Sequence, residues 1–278
     1  MFSSTSWNST HGRGLQRLSR ARLLLKVISG TLLLFLISAT TVHAEDFPKL
    51  DEAVPGAFVL RLAPVFDFDG DGCLPSAGIS RSGEQNEGLG TTGSITGDCR
   101  SADFLNTSNT LHRHVCMSSN GAQYCAHFYA LYFEKDQVLP GWDIFGHRHD
   151  WEHVAVWTTD GAITHVSTSA HGDMDTRSVA DVPFEGAHPK IVYHKDGPGT
   201  HAFRFAKSNE VAENPYVRFV TPAITSWYNL SGDGLGNQEM RSRLDTLDYG
   251  KATIPMKSSN FFANVNRFKP SDYPTFQP

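Results

Sequence analysis

Seven consecutive residues, Gly146-His147-Arg148-His149-Asp150-Trp151-Glu152, bring two imidazoles, a guanidinium, an indole and two carboxylates together in a chain that is only 19% charged. Imidazole nitrogen and carboxylate oxygen are ligands for divalent cations, so such a run binds a metal, relays protons or forms a buried ion network. The residues that follow, Val154-Ala155-Val156-Trp157-Thr158-Thr159 and then Asp160-Gly161, read as a strand ending in a hairpin turn. Strand alternation places Asp150 and Glu152 on one face and His149, Trp151 and His153 on the other. Carboxylates at i and i+2 can share one ion, and His147, on the irregular start of the strand, can approach it. An oxygen-rich set with one imidazole suits Mg²⁺, Ca²⁺ or Mn²⁺ better than a structural zinc.

Three other readings compete. His149-Asp150-Trp151-Glu152-His153 also matches H-x-x-E-H, the inverted zinc-peptidase pattern, but that chemistry needs both histidines on one helical turn and the Val-rich strand leaves no room for it. A secreted metal-dependent hydrolase of plant glycans or esters, with Glu152 as base and the ion activating water, is the enzymatic alternative. A satisfied hydrogen-bonded network around Arg148, without metal, is the bland one. No G-x-S-x-G elbow, P-loop or dinucleotide fingerprint is present.

The elements that must hold the cluster are short. Runs rich in β-branched and aromatic residues recur between turn residues, at Phe58 to Phe66, Ala126 to Phe133, Glu152 to Thr158, Ile163 to Ser169, Lys190 to His194, His201 to Phe205 and Tyr216 to Val220. This spacing predicts an all-β sandwich of antiparallel strands with few helices. One helix is expected over Asn237 to Asp248, with Met240, Leu244 and Leu247 on one face, Asn237 as cap, and the sheet edge as its seat.

The first 44 residues carry Arg13, Arg17, Arg20, Arg22 and Lys26 with no acidic residue, then the apolar run Leu32 to Ile37 and Val42-His43-Ala44. That order predicts a secretory signal cleaved after Ala44, leaving one domain over 45–278. The exported part keeps 19 of the 24 basic residues against 29 acidic ones, a formal charge of −10 that disfavours nucleic acid and anionic lipid as direct partners. Four cysteines in an exported chain imply two disulfides, and Cys73–Cys99 with Cys116–Cys125 is the pairing that closes two short local loops. Asn106 and Asn229 head Asn-x-Ser/Thr sequons and are glycosylation candidates. Asp67-Phe68-Asp69-Gly70-Asp71-Gly72 has the acidic spacing of a calcium loop, although Gly78 at its twelfth position excludes an EF-hand.

The heptapeptide, with Tyr132 to Gln137, Ser169-Ala170-His171-Gly172 and the block Tyr193 to Phe205, resembles the necrosis- and ethylene-inducing-peptide-like proteins over roughly Leu50 to Lys269. The four cysteines and the Asp67 loop resemble its four-cysteine subgroup. The resemblance implies a β-sandwich like those of sea-anemone pore formers and fungal lectins, with Mg²⁺ or Ca²⁺ in an acidic cavity. It implies a secreted cytolysin that recognises plant glycosylinositol phosphorylceramide headgroups and breaches the plasma membrane without catalysing a reaction, or a non-toxic lectin-like homologue. By position, Asp136, His147, Asp150 and Glu152 are the implied metal ligands. His149, His171 and His201 are candidates for lining the cavity, and Asp67, Asp69 and Asp71 for a second calcium site.

Overall fold

The computed structural model describes residues 47–278, so the basic leader and the cleavage point after Ala44 lie outside the described residues. A six-stranded sheet has the order β10 (Ala223–Ser226), β2 (Asn109–Ser119), β3 (Ala122–Asp136), β4 (His147–Thr159), β5 (Ala162–Ala170) and β6 (Asp173–Ser178). A smaller sheet is built around β8 (His188–Lys195), flanked by β1 (Val65–Phe68), β7 (Phe184–Glu185) and β9 (His201–Phe205). The sandwich is therefore present, but its strands are not all antiparallel: β1 with β8 and β10 with β2 run parallel.

Alternation along β3 explains why the large sheet is buried on both faces. Tyr129, Leu131 and Phe133 pack with Phe66, Phe68, Tyr193 and Phe203 of the small sheet. The intervening Phe128, Ala130 and Tyr132 face the opposite way, onto Trp227, Phe261 and the helix α2 (Asn237–Thr246). The α2 residues Met240 and Leu244 are fully buried there. This helix thus lies on a sheet face and not on its edge. Asn237 does not cap it: Gly236 holds that position, and the Asn237 amide instead donates to the carbonyls of Trp227 and Leu230.

Other local readings change for identifiable reasons. Ala57–Leu62 is a helix, α1, because Val59 and Leu62 are the buried pair at three-residue spacing, and Pro64 disfavours its continuation. Tyr216 to Val220 is not a strand, since Val217 takes φ +52° and only Val220 bridges to Phe66. Strands β2, β6 and β10 and the helix α3 (Phe261–Phe268) were not anticipated, as their polar and aromatic residues mask the periodicity. Both expected disulfides are formed, Cys73–Cys99 and Cys116–Cys125, with no cysteine left free. Asn106 and Asn229 are exposed.

Candidate functional site

The long hairpin of β3 and β4 sets Asp136 opposite His147 and Phe133 opposite Asp150. Beyond His153, β4 pairs with β5 from Val154 onward, so its first half leaves one side open to a cavity of about 450 Å³. Asp136, His147, Asp150, Glu152, His171 and His201 all line that cavity.

A backbone irregularity makes this convergence possible. In a regular strand, residues three apart point to opposite faces. His149 adopts φ +63°, a left-handed conformation for a non-glycine residue, and resets the alternation. His147 and Asp150 thereby share a face. One nitrogen of His147 and one oxygen each from Asp136 and Asp150 lie within 4.8 Å of one another. At the start of the same segment a side chain at Gly146 would collide with the Asp136 carbonyl, so only glycine lets the strands approach this closely.

Each ligand candidate is oriented. The Nδ1–H of His147 donates to the His149 carbonyl at 2.7 Å, leaving Nε2 as the atom with a free lone pair, 3.9 Å from Asp136. Such a bond on the outer nitrogen is how metal-binding imidazoles are commonly held. The Tyr193 hydroxyl donates to Asp150 at 3.0 Å. Burial, then the neighbouring Asp136 charge, push the Asp150 carboxyl up to about 7. Burial and the charge of Asp150 also hold Glu152 well above the usual carboxylate range, and the Ser169 hydroxyl donates to it. Buried carboxylates that raise one another's affinity for a proton are ones whose repulsion a divalent cation relieves. Asp136, His147 and Asp150 therefore form a group that could hold a divalent ion.

Not every expected ligand joins them. Glu152 lies on the same cavity wall but outside the three-residue cluster. His149 does not line the cavity: as the neighbour of Asp150 it stands on the opposite face, where its Nδ1 meets the Tyr132 hydroxyl at 2.7 Å. Burial lowers its pKa to about 4, so it stays neutral. His171 sits at the rim, partly exposed, between Asp196 and Thr200. His201 is more important than its sequence context suggested. Its backbone N–H and ring Nδ1–H both donate to Asp136, and although burial alone would lower its pKa, this carboxylate raises it above the ordinary value. Tyr193 and Ser169 carried no sequence signal of their role.

The Asp67 loop does not gather three carboxylates. Asp67 is fully buried, accepting from the backbone N–H groups of Glu213 and Asn214 and from the Asn214 amide. Asp69 pairs with Arg204 at 3.3 Å, and Asp71 lies near His201. Asp67 thus anchors the segment around Glu213 and Asn214.

Residues 57–268 match the family model described as necrosis inducing protein (NPP1). The chain belongs to this necrosis-inducing protein family. It is 35% identical over 207 residues to NLP effector protein 2 of Plasmopara viticola, covering 72% of this chain and 82% of that one. It is 28% identical over 201 residues to the necrosis-inducing protein NPP1 of Phytophthora nicotianae, covering 70% and 75% of the two chains. Among solved structures, one described as a toxin fold as basis for microbial attack and plant defense superposes with TM-score 0.64 at 26% identity, covering 81% of this chain and 97% of that one. Another, NLPPya in complex with mannosamine, gives TM-score 0.63 at 26% identity over 81% and 96%.

Proposed function

We propose that this protein is a secreted, cation-dependent cytolysin that docks on the sugar headgroups of plant glycosylinositol phosphorylceramides and breaches the plasma membrane, with no bond broken in the process. The observation that carries the reading is the convergence of Asp136, His147 and Asp150 at the floor of an open cavity. An acidic protein is repelled by an anionic sphingolipid, whereas a bound Mg²⁺ or Ca²⁺ supplies positive charge and open coordination positions for sugar hydroxyls or phosphate. Tyr193 and His201 hold Asp150 and Asp136 in place from the small sheet. The aminosugar seen with a relative of the same fold supports a sugar-sized ligand.

Membrane contact is assigned to the loop between β3 and β4. Leu139, Trp142, Ile144 and Phe145 are 45%, 86%, 73% and 64% exposed, an apolar patch beside the cavity mouth. Asp143 braces this loop by accepting from the backbone N–H groups of Leu139 and Phe145. Exposed apolar clusters of this kind mark interaction surfaces, and tryptophan favours the membrane–water interface.

Dye release from vesicles containing the plant sphingolipid is the test. Release that needs both the sphingolipid and a divalent cation is expected. Equal release in chelator, or from vesicles without that lipid, would remove the reading, and binding without release would leave a lectin-like protein instead.

A further inference from the structure

Three histidines outside the cavity meet on the first half of the β2–β3 hairpin. His112 and His114 are two residues apart on β2 and so share a face, and His127 of β3 is the register partner of His114. One ring nitrogen from each lies within 4.8 Å of one from both others. Asp136 is nine residues further along β3, which at roughly 3.3 Å per residue separates the two clusters by about 30 Å.

The ring geometry goes beyond proximity. The three ring planes are within 13° to 21° of one another, and the centroids are 5.2, 5.3 and 5.7 Å apart. An ion held at about 2.0–2.1 Å by one nitrogen of each of three imidazoles at tetrahedral angles would set their centroids roughly 5.2 Å apart. Nε2 of His112 and Nδ1 of His127 face each other at 3.4 Å, close to the roughly 3.3–3.6 Å between two nitrogens on one such ion. His114 keeps a buried Nδ1 with no hydrogen-bond partner among the described residues, a polar atom whose desolvation they leave without compensation.

We propose that His112, His114 and His127 form a second metal site, selective for an imidazole-seeking transition ion of the zinc or copper type. Among the described residues no carboxylate belongs to the cluster, so its chemistry is distinct from that of the oxygen-rich cavity. Burial lowers the pKa of all three rings, which keeps them neutral with lone pairs available. The Ser226 hydroxyl, 3.2 Å from Nδ1 of His112, can accept a hydrogen bond from that Nδ1–H and so leave the Nε2 lone pair for the ion. Phe58 of α1 closes the site edge-on against His114 and His127, each at 5.6 Å between centroids. A bound ion would pin β2 to β3 beside the Cys116–Cys125 disulfide.

Zinc titration in millimolar magnesium tests the site in an Asp150→Asn background, where the acidic cavity is disabled. One equivalent of zinc is expected to bind, and His114→Gln with His127→Gln is expected to weaken it by about a hundredfold or more. X-ray absorption of the zinc-loaded Asp150→Asn protein gives a reading that does not depend on the histidine variants folding. Three imidazole nitrogens at about 2.0–2.1 Å are expected there. Zinc that fails to bind in this background, binds through oxygen, or is retained by a folded double-histidine variant overturns the site without touching the cytolysin reading.

Discussion

His201 clamps Asp136 across the sandwich: its backbone N–H reaches both carboxylate oxygens at 2.9 and 3.0 Å, and its ring Nδ1 reaches one of them at 2.7 Å. The two residues come from different sheets, so the clamp fixes a cavity ligand and closes that end of the sandwich at once. Hydrogen bonds to a buried charge contribute about 1.5–3 kcal/mol each. His201→Ala is expected to lower stability by about that amount and cation affinity by roughly 10–100-fold, as loss of a supporting partner commonly does. Thermal unfolding and magnesium calorimetry measure the two effects. Unchanged affinity in the folded variant would show that Asp136 needs no such support.

Asp150 should show opposite behaviour with and without cation. Its folded carboxyl, near 7, lies above its ordinary 3.8, so the folded state favours the proton. That stabilisation is present below about pH 4 and is lost as pH rises through about 7. Asp150→Asn removes the ionised, buried carboxylate, and in chelator at pH 8 the variant is expected to be more stable than the parent by on the order of a few kcal/mol. The gain should shrink as pH falls across the same window. Magnesium should then stabilise the parent and leave the variant unmoved. Equal stabilisation of both by magnesium would place the ion elsewhere.

Trp142 is expected to act after recognition. Burying its ring at a membrane interface contributes about 1.5–3 kcal/mol, so Trp142→Ala should reduce vesicle leakage by about tenfold or more with cation affinity intact. A variant that leaks dye as fast as the parent would free this loop of the role.

The disulfides should contribute unequally. They span 26 and 9 residues, and chain entropy alone makes the Cys73–Cys99 bridge about 1 kcal/mol more stabilising than Cys116–Cys125. Chemical denaturation of the paired Cys→Ser variants compares them directly. A larger loss at Cys116–Cys125 would point to a native-state role for that bridge.

Much of the site was legible because its residues are contiguous. Asp150, Glu152 and the strand after them follow from alternation and from the Val-rich run. The contribution of His147 was foreseen only as an irregular approach, since no sequence rule marks His149 for φ +63°. Asp136 came from resemblance, because its partner across the hairpin is eleven residues away and register is set by tertiary packing. Tyr193, Ser169 and the clamp from His201 were hidden for the same reason: each reaches the cavity from another strand. Spacing along the Asp67 loop gives no sign that the Asp67 carboxylate accepts from the backbone N–H groups at 213 and 214. Helix α1 was misread as a strand because six apolar-rich residues fit either period.

An anomalous difference map from crystals soaked in Mn²⁺ tests the cation site most directly. A single strong peak bound by Asp136, His147 and Asp150, absent in Asp150→Ala, is the expected result. Saturating manganese with no density there, or with the ion held at another group of carboxylates, would contradict it.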